Sequence, residues 1–501
     1  MIRYQVSCPV PASHYFAVVL RIDKPDPAGQ ALRLPNWIPG SYMIRDFARN
    51  LLDLRAHAGG IEVALEQLDK SNWRAAPCDG ELTVEYRVYA KDLSVRSAYL
   101  DHTRCYYNGS SLFLEPLGLS QQACEVLIEK PADPRYADWR LATSLPRKQA
   151  GPFEFGLYEA ADYDELIDHP VEMGDFTVIP FEACGVPHDI VLAGRFECDG
   201  ERLAADLRAI CEQHIRFFGE PAPMDYYQFQ VLIVGDGYGG LEHRSSTSLV
   251  ARRASLPQAG AAGVSDDYRE FLGLCSHEYF HTWNVKRIKP AAYQPYDLQR
   301  EVYTELLWAF EGITSYYDDL ALRRAGLIDA PSYLELLAQT MTRVQRGLGR
   351  SRQSVAESSF NAWTKFYQQD ENAANAIVSY YAKGSLIAAC IDLKMRLLSG
   401  GETSLDDLMR RLWSDYLQSR EGIAQDRIRQ LAAELCGAEF GSFIDELIHG
   451  TDDPPLPQLL AEAGIEVTRR APANAQDKGG KPFTGELPRA DFGALLQAAE
   501  G

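Results

Sequence analysis

Nothing constrains this chain more than five residues in its middle, HEYFH, with His277, Glu278 and His281 in the spacing HExxH. Residues four apart on a helix lie one above the other, so two imidazoles there face a single point, which suits a metal ion. Glu278 follows the first histidine and flanks that point, where its carboxylate can take a proton from a water. The surrounding stretch, residues 265–290, reads as a helix with its own signals. Ser265 serves as N-cap and Asp266 and Asp267 occupy the first turn, where carboxylates favour the positive end of the dipole. Lys286, Arg287 and Lys289 are expected beyond the other end, as a solvated basic finish before Pro290, with contact to a substrate carboxylate as the other reading. Zinc, one per chain, is the metal this pattern favours.

A zinc helix needs a scaffold, and 501 residues exceed one ordinary core. The formal charge of -20 argues against nucleic-acid or anionic-membrane partners, which select basic footprints. The first residues carry neither a basic n-region nor an unbroken apolar stretch, and no later segment reaches membrane-spanning length, so a cytoplasmic protein is expected. Its 10 cysteines are scattered without a CxxC pair, which reads as free thiols and makes a cysteine-ligated metal site a poor expectation.

Along the chain the pattern changes twice, giving a multidomain α+β protein. Residues 1–168 read as an N-terminal β-sandwich: Leu82, Val84, Tyr86 and Val88 alternate with Thr83, Glu85 and Arg87. Residues 34–50, rich in aromatics and prolines, read as a packed turn, with a loop approaching the active site as the other reading. Residues 169–325 read as a catalytic domain with a small mixed sheet and the HExxH helix. Within it Tyr227, Phe229, Val231 and Ile233 form a strand that runs into glycines and an acid. Gly239 and Gly240 let backbone approach a ligand, and with Glu242 they could form one wall of a substrate cleft. Residues 326–455 read as an all-α lobe, with helices expected over 332–345, 377–398, 404–418 and 443–449, after one over 302–324. Residues 456–501 read as a linker and a remnant, the linker proper at 471–482.

A catalytic zinc takes three protein ligands and leaves a position for water. The third ligand is expected on a neighbouring helix, from Glu301, Glu305 or Glu311, and spacing does not choose among them.

Six blocks in order then resemble the glycyl aminopeptidases of the gluzincin metallopeptidases: WIPGSYMIRDFA (37–48), FEACGVPH (181–188), GYGGLEH (237–243), HEYFHTWNVKRIKP (277–290), EGITSYY (311–317) and SYYAKG (379–384). The resemblance implies a thermolysin-like catalytic domain and selects Glu311 as third zinc ligand. It implies that Glu242 binds a substrate's free α-amine and that Tyr381 donates to the oxyanion, with its neighbour Tyr380 as the competitor for that part. His243 and Asn284 are candidate supports for the site. The implied activity is a zinc aminopeptidase, a hydrolase acting on peptides with a free N-terminus and preferring Gly or Ala there. An endopeptidase or other hydrolase on the same fold, or a non-catalytic peptide-binding scaffold, are the alternatives, and an oligomer is compatible with all of them. Members of the family typically carry a C-terminal PDZ domain. Here it is expected to be missing or truncated, with residues 491–495 its only candidate strand.

Overall fold

A computed structural model of the chain describes residues 1–474 and 476–481, and the backbone of Leu495–Ala498. Of the candidate PDZ strand, residues 491–494 lie outside the described residues. Contacts divide the chain into two units. One takes Met1–Ala205, Pro223–Ala261 and Asp297–Glu301; the other takes Asp206–Ala222, Ala262–Tyr296 and the described chain from Val302 onward.

The first unit is rich in strands. Its largest sheet has seven, in the order Gly156–Ala160, Cys124–Ile128, Ile2–Ser7, Tyr15–Ile22, Leu82–Tyr89, Leu51–Ala58 and Ile61–Val63. In Leu82–Tyr89 the apolar alternates are buried and Glu85 and Arg87 exposed, as a half-buried strand requires. Thr83 departs from the pattern and is buried, in a strand paired on both sides. Two four-stranded sheets accompany the large one, so the strands expected of a sandwich fall into three sheets.

A fourth, mixed sheet of five strands holds the glycine-rich stretch. Its order is Phe176–Ala183, Val186–Gly194, Tyr227–Val234, Ser246–Arg252 and Gly239–Glu242, which leaves Gly239–Glu242 at an edge. Tyr227–Val234 lies between two parallel neighbours. Its polar positions are therefore buried as well: Gln230 donates to the carbonyls of Pro170, at 3.1 Å, and Ala142, at 3.3 Å.

The second unit is helical. The HEYFH helix runs Asp266–Phe280, with the Ser265 hydroxyl accepting from the Tyr268 amide at 3.2 Å. It ends earlier than its signals suggest, and the basic run beyond it is not a solvated finish. Lys286 and Lys289 are buried, Lys289 lies 4.6 Å from the centre of the Tyr296 ring, and Arg287 donates to the Thr282 carbonyl at 2.7 Å. The expected helix over 302–324 begins only at Trp308, with a π-turn, Trp308–Gly312, before Ile313–Arg324. The helix expected from 377 is Ala382–Ser399. Those over 404–418 and 332–345 are Leu405–Ser419, where Ser404 and Asp407 form a capping box, and Ala330–Arg346. The region read as a linker is tied down where described: Arg470 pairs with Asp477, and Lys481 reaches Asp266 at 3.1 Å. Among the described residues no helix is long and apolar enough to cross a membrane.

Candidate metal centre and active site

His277 stands in the last turn of the HEYFH helix and His281 is its C-cap, still in right-handed helical backbone. Opposite them, the π-turn carries Glu311. Its extra residue per turn departs from the helical register, and turns of this kind recur at functional sites. Glu311 Oε2 lies 3.5 Å from His277 Nε2 and 3.3 Å from His281 Nε2. Each of the three residues offers a ligand atom within 4.8 Å of the others.

The outward nitrogens are engaged elsewhere. His281 Nδ1 is 2.6 Å from the Asn284 carbonyl, which can only accept, so the proton sits on Nδ1 and the Nε2 lone pair faces Glu311. His277 Nδ1 meets Asp318 Oδ2 at 2.9 Å in the same sense. Burial works against ionising Glu311, yet the two imidazoles hold its carboxyl down at about 2. Burial likewise opposes a proton on His277, but Asp318, Glu311 and Glu278 push its pKa well up. A proton so favoured on His277 beside an ionised carboxylate marks a buried cluster that calls for positive charge; with zinc in that proton's place, two Nε2 lone pairs and Glu311 fit the ion. Glu278 is buried on the same helix, with a carboxylate oxygen within 4.8 Å of a His281 nitrogen.

Glu301 and Glu305 are not brought to this cluster. The segment before Trp308 is not helical, so they share no helix face; neither is among the groups that offer a ligand atom here, and Glu305 accepts from Gln425 at 2.9 Å. Asn284 also steadies Glu311's segment, its amide donating to the Ala309 carbonyl and to Thr314 Oγ1, each at 3.1 Å. Tyr381 is partly exposed and stacks 6.3 Å from the His277 ring, with its hydroxyl 3.4 Å from that of Tyr367. Tyr380 is fully buried against Phe366. Two glycines bring these elements together. A Cβ on Gly312 would fall 2.6 Å from Gly384 Cα, and one on Gly384 would fall 3.0 Å from Gly312 Cα. The glycines of the EG and KG pairs are thus what let the π-turn and the helix after Tyr381 touch.

In the first unit, Glu242 closes the edge strand Gly239–Glu242 and is 4% exposed. Its Oε1 has no hydrogen-bond partner among the described residues, so the buried carboxylate is left with acceptor capacity. The loop of residues 34–50 packs Trp37, Ile38, Tyr42 and Phe47 inward and also reaches this acid. Gly40 has φ +92, and a Cβ there would lie 2.5 Å from a Glu242 oxygen, so glycine is required on both counts. His243 pairs through Nδ1 with Asp168 at 3.0 Å.

Comparison with known proteins bears on this arrangement. Residues 3–175 match the Peptidase M61 N-terminal domain, and residues 270–387 match the M61 glycyl aminopeptidase model. A solved structure of an aminopeptidase N family protein from Idiomarina loihiensis is 44% identical, with a TM-score of 0.94 over 97% of this chain and 82% of that one. The chain belongs to the M61 glycyl aminopeptidase family. An M1 zinc metallopeptidase from Deinococcus radiodurans shares the fold at 14% identity, with a TM-score of 0.56 over 91% of this chain and 95% of that one. No curated protein matches.

In this M61 peptidase the histidines and Glu311 lie inside a matched segment, whereas Glu242 lies between the two. Two neighbours were not visible to sequence reasoning: Asp318 behind His277, and Arg96, which donates to the Gly240 carbonyl at 3.2 Å; Gly40, against Glu242, stands in the loop whose second reading was an approach to the active site. Asp318 follows the EGITSYY block by one residue, a proximity that could have flagged it. Arg96 gave no signal at all.

Proposed function

We propose that this M61 peptidase is a zinc-dependent aminopeptidase, with a thermolysin-like catalytic domain at residues 169–325 completed by a helical lobe at 326–455. It removes small N-terminal residues, Gly or Ala, from peptides with a free N-terminus. A cytoplasmic setting agrees with its ten free cysteines. His277, His281 and Glu311 would hold one zinc, which when bound supplies Lewis-acid polarisation of the scissile carbonyl and a lowered pKa for water. The observation that carries the reading is the commitment of both Nδ1 atoms outward, to Asp318 and the Asn284 carbonyl, with both Nε2 atoms facing Glu311.

Beyond the metal, the chain's own groups divide the chemistry. The Glu278 carboxylate accepts the proton of the attacking water and passes it to the leaving amine. The Tyr381 phenol donates to the oxygen that becomes negative as the carbonyl is attacked, and Tyr380, buried in the core, does not compete for that part. Glu242 accepts from the substrate's ammonium, for which its buried, unpartnered Oε1 is suited. An internal peptide segment offers no cation there and leaves the acid unpaired, which selects chain ends.

The test compares a free dipeptide with its N-acetylated form. Cleavage of the free form alone is expected, and equal cleavage of both would remove the aminopeptidase reading. Glu278→Gln should lower kcat by a factor of at least about a hundred, the lower range for general-base catalysis, with zinc content unchanged.

A further inference from the structure

We propose that Arg96 reads the C-terminal carboxylate of a short peptide whose ammonium is held at Glu242, making di- and tripeptides with a free carboxyl end the preferred substrates. The proposal rests on the reading of Glu242 as the amine anchor.

Arg96 is partly exposed, and among the described residues its guanidinium makes no ion pair. In a chain with 70 acidic residues against 50 basic ones, it is docked instead on a neutral group, Nη2 donating to the Gly240 carbonyl at 3.2 Å. A Cβ on Gly239 would lie 3.7 Å from Nη1, so the guanidinium lies along the strand at both glycines. A guanidinium carries five N–H donors in a planar fork, and most of these remain for a bidentate acceptor such as a carboxylate.

The strand it docks on is the edge of its sheet, paired only with Ser246–Arg252. An edge strand offers unpaired backbone to an extended peptide. A peptide with its ammonium at Glu242 that lies along this edge must run back toward Gly239. Gly240 is two residues before Glu242, roughly 7 Å at the rise of a strand. An extended dipeptide spans roughly the same distance from ammonium to carboxylate. Its carboxylate therefore arrives at the guanidinium, and a tripeptide's arrives within reach of so long a side chain. A longer chain brings a neutral amide to that point and leaves Arg96 without its anion.

The experiment uses the zinc-loaded full chain with alanyl-alanine, alanyl-alaninamide and N-acetyl-alanyl-alanine. The expected result is a kcat/KM about tenfold or more higher for the free acid than for the amide, the scale of one charge-assisted contact. Arg96→Gln should bring that ratio close to one, and Arg96→Lys should retain part of it. Equal rates on acid and amide in the unmodified enzyme, with the acetylated peptide uncleaved, would overturn the role of Arg96 and leave the amine reading standing. Equal cleavage of the acetylated and free dipeptides would overturn the amine reading and this proposal with it. Should Arg96→Gln fail to fold, the ratio in the unmodified enzyme and in Arg96→Lys decides.

Discussion

Asp318 and the carbonyl of Asn284 do the same work for the two histidines: each fixes a tautomer and a ring orientation before any metal arrives. Removing such a support commonly costs a factor of about 10–100 in metal affinity. Asp318→Asn is therefore expected to weaken zinc binding by that factor in competition against a chelator of known affinity, with circular dichroism unchanged. His277, Glu278 and His281 were legible in the sequence because helical spacing alone converges two imidazoles on one point. Glu311 was not legible from spacing, which sets Glu301 and Glu305 on one face of an assumed continuous helix and Glu311 off it without choosing among them; resemblance to a family chose it. Asp318 and Arg96 act through contacts between segments far apart in sequence, and no local pattern encodes such a meeting.

Elements carry the next layer of the design. A Cβ on Gly312 would meet the backbone of Gly384 at 2.6 Å, closer than side chains come, so Gly312→Ala is expected to cost about 1–3 kcal/mol, the usual range for overpacking. A lowered thermal transition would be the measure, together with weaker zinc binding as Glu311 shifts. A second support is His214 on the helix Gly200–Phe218, whose Nε2 meets Ser276 Oγ at 2.9 Å, beside the first ligand. Burial first, and the charge of Arg324 second, hold its pKa down at about 3. Its ordinary value is about 6.5, so the folded state favours the neutral ring. This contribution is complete above about pH 6.5 and is lost as pH falls toward 3. Replacing His214 with Gln should flatten the decline in denaturant midpoint between about pH 6.5 and 4. Apolar periodicity revealed most helices but not their ends. Residues 302–306 and 377–381 are irregular in spite of apolar spacing: Tyr303 is exposed, and the Val378 amide donates to Gln353 Oε1 at 3.0 Å and not to a helical carbonyl.

At the scale of the molecule, zinc binding should be linked to stability, because the proposed ligands come from two separate elements of the helical unit, brought together only on folding. Free zinc at about a hundred times its dissociation constant should stabilise the folded chain by about 2.7 kcal/mol. Chelation should abolish hydrolysis and lower the thermal transition, and restored zinc should recover both; a transition indifferent to zinc would count against the metal centre. The order of the chain through its units has a practical side. The helical unit is assembled from Asp206–Ala222, Ala262–Tyr296 and the described chain from Val302, with segments of the other unit between. A clone beginning at Ala262 would keep His277, His281 and Glu311 yet lack His214, leaving Ser276 Oγ with the Asp318 carbonyl alone of its two partners. Neither half can be released by a single cut, so dissection of this enzyme calls for circular permutation or co-expressed pieces in place of truncation.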